Sequence, residues 1–273
     1  MLKQRVISSL ILAPLFIALI LLLPNEWFKL LVSLMVLPAA FEWARLSGVH
    51  GNGLSWLYAL GLIALAYLGY EYAADLQIQH WLYWLSAVWW GLVLVWIVLS
   101  QRRAVLGNFS LWVKLFSGVL TILPAWFALI ALQAVDGFGP QLALYVFLLV
   151  WAADIGAYTF GNLWGRIKLA PLLSPGKTVE GLAGGMLAVL LLALAAAAYF
   201  GLPMRGFWLF VLISLFAAAV SVLGDLYESA LKRQAGVKDS GGLLPGHGGV
   251  LDRIDSLIAA APIFLLGYSQ ISH

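Results

Sequence analysis

Cysteine is absent from the chain. No disulfide framework can form, and no thiolate can hold a metal. Charge is scarce as well. Only 10% of the residues are Asp, Glu, Lys or Arg, against roughly 25% in soluble globular domains. The net charge of +3 is too small to point to nucleic acid as a partner. The apolar runs lack the polar–apolar alternation of a transmembrane β-barrel, which excludes that architecture. No internal repeat and no separate soluble domain is evident.

What fills the 273 residues is hydrophobic side chain, at 63%. Lipid then replaces water as the solvent for most of the chain. Backbone groups in lipid must bond to one another, so helices are expected. The fold class is all-α: a polytopic membrane helical bundle in one integral domain, 1–273. Its halves are a spanning N-terminal part, 1–140, and a catalytic C-terminal part, 141–273. Nine spans fit, at Val6–Leu23, Trp27–Leu46, Leu54–Ala73, Trp81–Ser100, Leu111–Leu132, Gln141–Phe160, Val179–Phe200, Phe207–Tyr227 and Ile254–Ile271. The first run also resembles a signal peptide, but Pro24-Asn25-Glu26 follows it instead of a small-x-small cleavage site.

An odd span count puts the two ends on opposite sides. With the N-terminus in the cytoplasm, thirteen of the fifteen basic residues fall on the cytoplasmic side. Only Lys29 and Arg205 lie outside. This asymmetry predicts a cytoplasmic N-terminus and places the polar loops 161–178 and 228–253 where nucleotides are found. Small size and the lack of a targeting extension favour a bacterial inner membrane. Most of the thirteen tryptophans sit near span ends, among them Trp27, Trp56, Trp81, Trp84 and Trp164, as interfacial anchors do.

The polar residues gather late in the chain. Asp225, Glu228, Ser229 and Lys232 are spaced i, i+3, i+4, i+7 and share one helix face. A carboxylate at membrane depth is costly and faces a cavity or a partner. Asp225 is read either as a structural pair with Lys232 or Arg233, or as a metal ligand. Asp252 and Asp255 open the last span, where acids also favour the helix dipole without any metal. Three acids returned to one place by a loop are better explained as a divalent-cation site. Between them run Lys238, Asp239 and six glycines, with His247 in Pro245-Gly246-His247-Gly248-Gly249. His247 is read as a metal ligand, an acid/base group or a phosphate donor; no second histidine stands near it, which argues against zinc, and hydrogen bonding to phosphate is favoured. Earlier, Asp154 and Tyr158 are spaced i, i+4, and Lys177-Thr178 open the seventh span as an anion site. Gly176-Lys177-Thr178 is not a P-loop, because Pro171 stands where its first glycine belongs and no strand precedes it. Glu42 and Arg45 are read as a structural i, i+3 pair.

The stretch Ser229–Asp255 resembles the signature of the phosphatidate cytidylyltransferase family, the CDP-diglyceride synthases. Ser229, Leu231, Lys232-Arg233, Lys238-Asp239, Gly241, Leu244-Pro245, His247-Gly248-Gly249 and Asp252-Arg253-Ile254-Asp255 carry the resemblance. Asp154–Tyr158, Ser174–Gly181 and Asp225 also resemble the family. The resemblance implies an integral membrane enzyme joining CTP and phosphatidic acid into CDP-diacylglycerol and pyrophosphate. It further implies Mg²⁺, K⁺ as a second cation, and a homodimer.

On that footing the lipid phosphate attacks the α-phosphorus of CTP. It is already anionic, so catalysis is expected to be positioning and charge neutralisation. Asp225, Asp252 and Asp255 are expected at the metal. Lys232 and Arg233 are expected on the lipid phosphate. Lys177, Lys238, His247 and Arg253 are expected on the triphosphate, with Thr178, Ser229, Asp239, Gly248 and Gly249 completing the binding set. Two rivals differ in class. A transporter would show broken helices or repeats near the midplane. Another CTP-dependent lipid transferase or kinase would differ in its acceptor.

Overall fold

The computed structural model describes residues 14–72, 76–243 and 248–271. Helix α1 occupies residues 14–22 within them, so much of the first expected span lies outside the described residues. There follow α2 (Asn25–Ser47), α3 (Asn52–Tyr72), α4 (Leu76–Arg103), α5 (Leu111–Gln133) and α6 (Gly139–Trp164). A short hairpin, β1 (Lys168–Ala170) and β2 (Ser174–Thr178), leads into α7 (Val179–Tyr199), α8 (Met204–Gln234) and α9 (Leu251–Tyr268).

The helices α2 to α8 are long and apolar enough to cross a membrane. The chain is a polytopic helical membrane protein. Helix α9 is not among those seven, since its 18 residues include Asp252, Arg253 and Asp255 at the start. Two differences from the expected spans matter for the site. Helix α8 runs on through Glu228, Lys232 and Arg233, past the expected span end at Tyr227. An i, i+4 ion pair between Glu228 and Lys232 supports that extra length. Loop 161–178 is not plain coil, because β1 and β2 pair in antiparallel fashion within it.

Helix α5 lies at the centre, against α2, α3, α4, α6 and α9. Its Trp126 and the α2 residue Trp43 are fully buried, and each finds a hydrogen-bond acceptor. Trp43 Nε1 donates to the Lys114 carbonyl at 2.8 Å and Trp126 Nε1 to Ser33 Oγ at 2.9 Å. A buried indole needs such a partner. Trp27, Trp56, Trp81, Trp84 and Trp164 are exposed, as interfacial anchors would be. Trp43, Trp90 and Trp126 are core residues instead.

Helices α6 and α7 lie side by side along a seam of small residues. A Cβ on Gly156 would meet the Gly184 carbonyl at 2.6 Å, and one on Gly185 would meet the Ala153 carbonyl at 2.7 Å. Without hydrophobic drive in lipid, such close backbone approach is what holds two helices together. Helix α8 packs in turn on α7 and α9, which brings the polar ends of four helices to one place.

Candidate active site

A cavity of about 550 Å³ lies between α6, α7, α8 and the hairpin. Its rim carries Asp154, Lys177 and Asp225, and Leu182, Met186 and Val222 form apolar wall. A space lined both by charged and by apolar side chains suits a molecule with a charged head and a greasy body.

The chain builds the rim from local rules. Thr178 caps α7, its hydroxyl accepting the Gly181 N–H at 3.1 Å. Glu180 accepts the backbone N–H groups of Arg166 at 3.0 Å and Ile167 at 3.2 Å, which ties the entry of the hairpin to the helix start. Lys177 is thereby held over α8, where its Nζ lies 2.5 Å from Asp225 Oδ2. Ser229 Oγ donates to the other oxygen, Asp225 Oδ1, at 3.2 Å. Asp154 interacts electrostatically with both Lys177 and Asp225.

Behind the rim, α8 and α9 approach closely at Gly224. A Cβ there would overlap the Asp255 carbonyl and sit 2.9 Å from Ala259 Cβ. This contact sets Asp255 beside Asp225, within electrostatic range of it and of Lys177 and Lys232. The Asp255 Oδ1 accepts the Ser256 N–H at 2.7 Å.

Two turns along α8 from Asp225, Lys232 stands between two carboxylates. Its Nζ is 2.6 Å from Glu228 Oε2 and 2.7 Å from Asp252 Oδ1. Asp252 also accepts the Gly249 N–H at 2.8 Å and the Ser240 N–H at 3.0 Å, both on Oδ2. Burial opposes the ionised form of Asp252, but the Lys232 ammonium and these N–H groups outweigh it and hold the carboxyl down at about 2. Gly248 permits the turn that brings Gly249 N–H round, at φ +80°, where a side chain would be strained.

The three acids expected at the metal have different partners. Asp255 is within electrostatic range of Asp225, and the Asp252 oxygens face Lys232, Ser240 and Gly249. Among the described residues, no group of three or more His, Cys, Asp or Glu has the geometry of a metal site.

The other expected residues are distributed around this centre. Thr178 is buried as a helix cap, and Gly249 is buried beneath the turn. Lys238, Asp239 and Arg253 are exposed. Arg233 Nε reaches the Leu173 carbonyl at 3.4 Å and so pins the hairpin to α8. His247 lies outside the described residues.

Three residues carry roles that the sequence did not assign. Glu228 and Ser240 are buried members of the Lys232 network. Glu42 is buried in α2, yet it accepts from Ser240 Oγ at 3.0 Å, the Val250 N–H at 3.1 Å and the Leu251 N–H at 2.8 Å. Its partners are thus on the far part of the chain, while Arg45 reaches Asn52 Oδ1 at 3.5 Å instead. The i, i+4 spacing of Glu228 and Lys232 was a visible signal. Nothing local could have linked Glu42 to residue 240 or 251.

Comparison with known proteins matches residues 3–270 to the model of the cytidylyltransferase family. A phosphatidate cytidylyltransferase of Pseudomonas aeruginosa is 42% identical over 264 residues, covering 97% of this chain and 96% of that protein. One from Haemophilus influenzae is 37% identical over 284 residues, covering 98% and 99%. One from Staphylococcus epidermidis is 47% identical over 125 residues, covering 46% of this chain and 48% of its own.

Proposed function

The chain belongs to the cytidylyltransferase family, and we infer that it catalyses the phosphatidate cytidylyltransferase reaction. CTP and phosphatidic acid give CDP-diacylglycerol and pyrophosphate. The structural observation that carries the reading is the Lys177–Asp225 pair on the rim of a cavity with apolar wall. That arrangement suits an anionic headgroup whose acyl chains stay in lipid.

In this reading a phosphate oxygen of phosphatidic acid attacks the α-phosphorus of CTP. The bond from that phosphorus to the bridging oxygen of the β-phosphate breaks, and pyrophosphate leaves. The attacking oxygen is already anionic, so no strong base is required. The barrier lies in bringing together two anions, and fixed cations lower it by neutralising charge that is already in place. Lys177 acts at the rim, presented by the capped start of α7. Lys232 acts two turns beyond Asp225 on α8, oriented by Glu228 and Asp252 so that no rotamer search is needed during turnover. Arg233, Lys238 and Arg253 are exposed at the same end and extend the cationic surface toward the triphosphate.

Mg²⁺ belongs to the proposal as the cofactor. The residues fit it in kind: Asp225 and Asp255 are hard oxygen donors within electrostatic range of each other, and an ammonium already stands on Asp225. Bound there, the ion would offset charge on the phosphates. Asp252 serves Lys232 rather than the metal in this assignment. We also place the site at the cytoplasmic face of an inner membrane, on the strength of the thirteen-to-two distribution of basic residues. A homodimer is proposed on the family resemblance alone, and light scattering of the protein in detergent tests it.

The deciding experiment supplies the purified protein with labelled CTP and either phosphatidic acid or a polyprenol. Label in CDP-diacylglycerol and release of pyrophosphate are expected only with phosphatidic acid. Label passing to the polyprenol, or to neither acceptor, overturns the reading.

A further inference from the structure

Helix α9 begins without a cap of its own. Val250, at its N-terminal boundary, supplies no side-chain hydrogen bond. The first N–H groups of a helix must nevertheless find acceptors. Here those of Val250 and Leu251 go to the two oxygens of Glu42, a buried carboxylate on α2. The negative charge also suits the positive end of the α9 dipole. The glycines of the signature make this possible. A Cβ on Gly241 or on Gly249 would overlap the Glu42 carboxylate. Those two positions are therefore small because Glu42 occupies the space.

The same carboxylate reaches the site through a short relay. Glu42 Oε2 accepts from Ser240 Oγ at 3.0 Å, and Ser240 Oγ accepts the Asp252 N–H at 3.3 Å. Ser240 N–H donates in turn to Asp252 Oδ2 at 3.0 Å, and Asp252 Oδ1 holds Lys232 Nζ at 2.7 Å. We propose that Glu42 is a positioning residue for the transferase reaction, setting Lys232 through Ser240 and Asp252 from the other half of the chain. The inference rests on the reading of Lys232 as a substrate-binding cation. Glu42 itself touches none of the reacting groups in this account. Its removal leaves three donors without their acceptor and frees the first turn of α9 to shift. A shift of about 1 Å at a catalytic constellation is enough to cost roughly a hundredfold in rate.

The test compares Glu42→Gln, Ser240→Ala, Lys232→Met and the Glu42→Gln/Lys232→Met double variant, as full-length protein in detergent. Turnover and both KM values are measured beside thermal unfolding. Glu42→Gln is expected to lower kcat/KM by about ten- to a hundredfold. The KM that rises is expected to be the same one that rises in Lys232→Met. In the double variant, Glu42→Gln is expected to add less than about threefold to the Lys232→Met loss, because the relay has nothing left to position. A merely structural role would lower the active fraction, leave both KM values unchanged and multiply with Lys232→Met. Multiplying effects, or a Glu42→Gln enzyme within twofold of normal beside a crippled Lys232→Met, overturn the proposal. A Lys232→Met enzyme of near-normal activity sinks the reading of Lys232 first, and the proposal with it. Ser240→Ala keeps the two backbone caps and breaks only the relay. If Glu42→Gln does not fold, a Ser240→Ala enzyme with unchanged KM values and turnover overturns the inference.

Discussion

Lys177 Nζ lies 2.5 Å from Asp225 Oδ2 and joins the start of α7 to the polar end of α8. The two residues are 48 positions apart, and the packing of α8 against α7 brings them together. Each half-buried charge has the other as its counter-charge.

Asp225→Asn removes the negative partner while preserving shape. Transferase activity is expected to fall by about 10²–10³-fold, the scale of losing one preorganised electrostatic group. Lys177→Met is expected to cause a comparable loss, and the two losses should not multiply because the residues act as a pair. Labelled CTP with phosphatidic acid reads activity, and size-exclusion profiles in detergent establish that each variant folds.

A second consequence concerns Lys232. It neutralises Glu228, whose side chain is 1% exposed, and Asp252 at the same time. Lys232→Met leaves two carboxylates facing each other with no counter-charge. Breaking a buried pair from one side costs about 3–5 kcal/mol. The variant is expected to unfold at clearly lower temperature as well as to lose activity. Adding Glu228→Gln is expected to restore part of the stability and none of the activity, which separates the packing cost from the chemical one.

Much of this was legible in the chain. Composition gives the membrane bundle, because nothing but helices can satisfy backbone groups within continuous apolar runs. The spacing of Asp225, Glu228, Ser229 and Lys232 does place them on one face of α8. The partition of the acids was not legible. Asp252 and Asp255 are three residues apart, yet Asp252 pairs with Lys232 while Asp255 accepts the Ser256 N–H and lies near Asp225, where α8 and α9 meet closely at Gly224. Glu42 was invisible for a different reason. Its i, i+3 neighbour Arg45 offers a plausible local partner, and the actual partners are 198 to 209 positions away. The hairpin was missed because β1 has three residues and carries no periodicity to read.

Gly224 tests the α8–α9 contact that sets Asp225 beside Asp255. A Cβ at this position meets backbone, which cannot rotate aside. Gly224→Ala is expected to destabilise the protein by about 1–3 kcal/mol, the usual cost of overpacking. On the proposed Mg²⁺ assignment, it is also expected to raise the concentration of the ion needed for half-maximal activity. An alanine variant with unchanged unfolding temperature and unchanged Mg²⁺ response would remove the steric account of this glycine.

The acid limb of stability should carry the mark of Asp252. Its carboxyl ionises at about 2 in the folded chain, below its ordinary 3.8, because the bonds from Lys232, Gly249 and Ser240 outweigh the burial that opposes ionisation. A group that binds its proton more weakly when folded stabilises the fold wherever it is ionised. That contribution is fully present above about pH 4. It shrinks as the pH falls, and it is gone once the pH has passed below the folded value. Denaturant unfolding of the protein in detergent is therefore expected to show falling stability from about pH 4 to about pH 2. Asp252→Asn, which cannot titrate, is expected to be less stable at neutral pH and to have a flatter profile through that window. Parallel profiles for the two proteins would show that the ion pair with Lys232 contributes nothing to folding, and the orientation of Lys232 would then need another source.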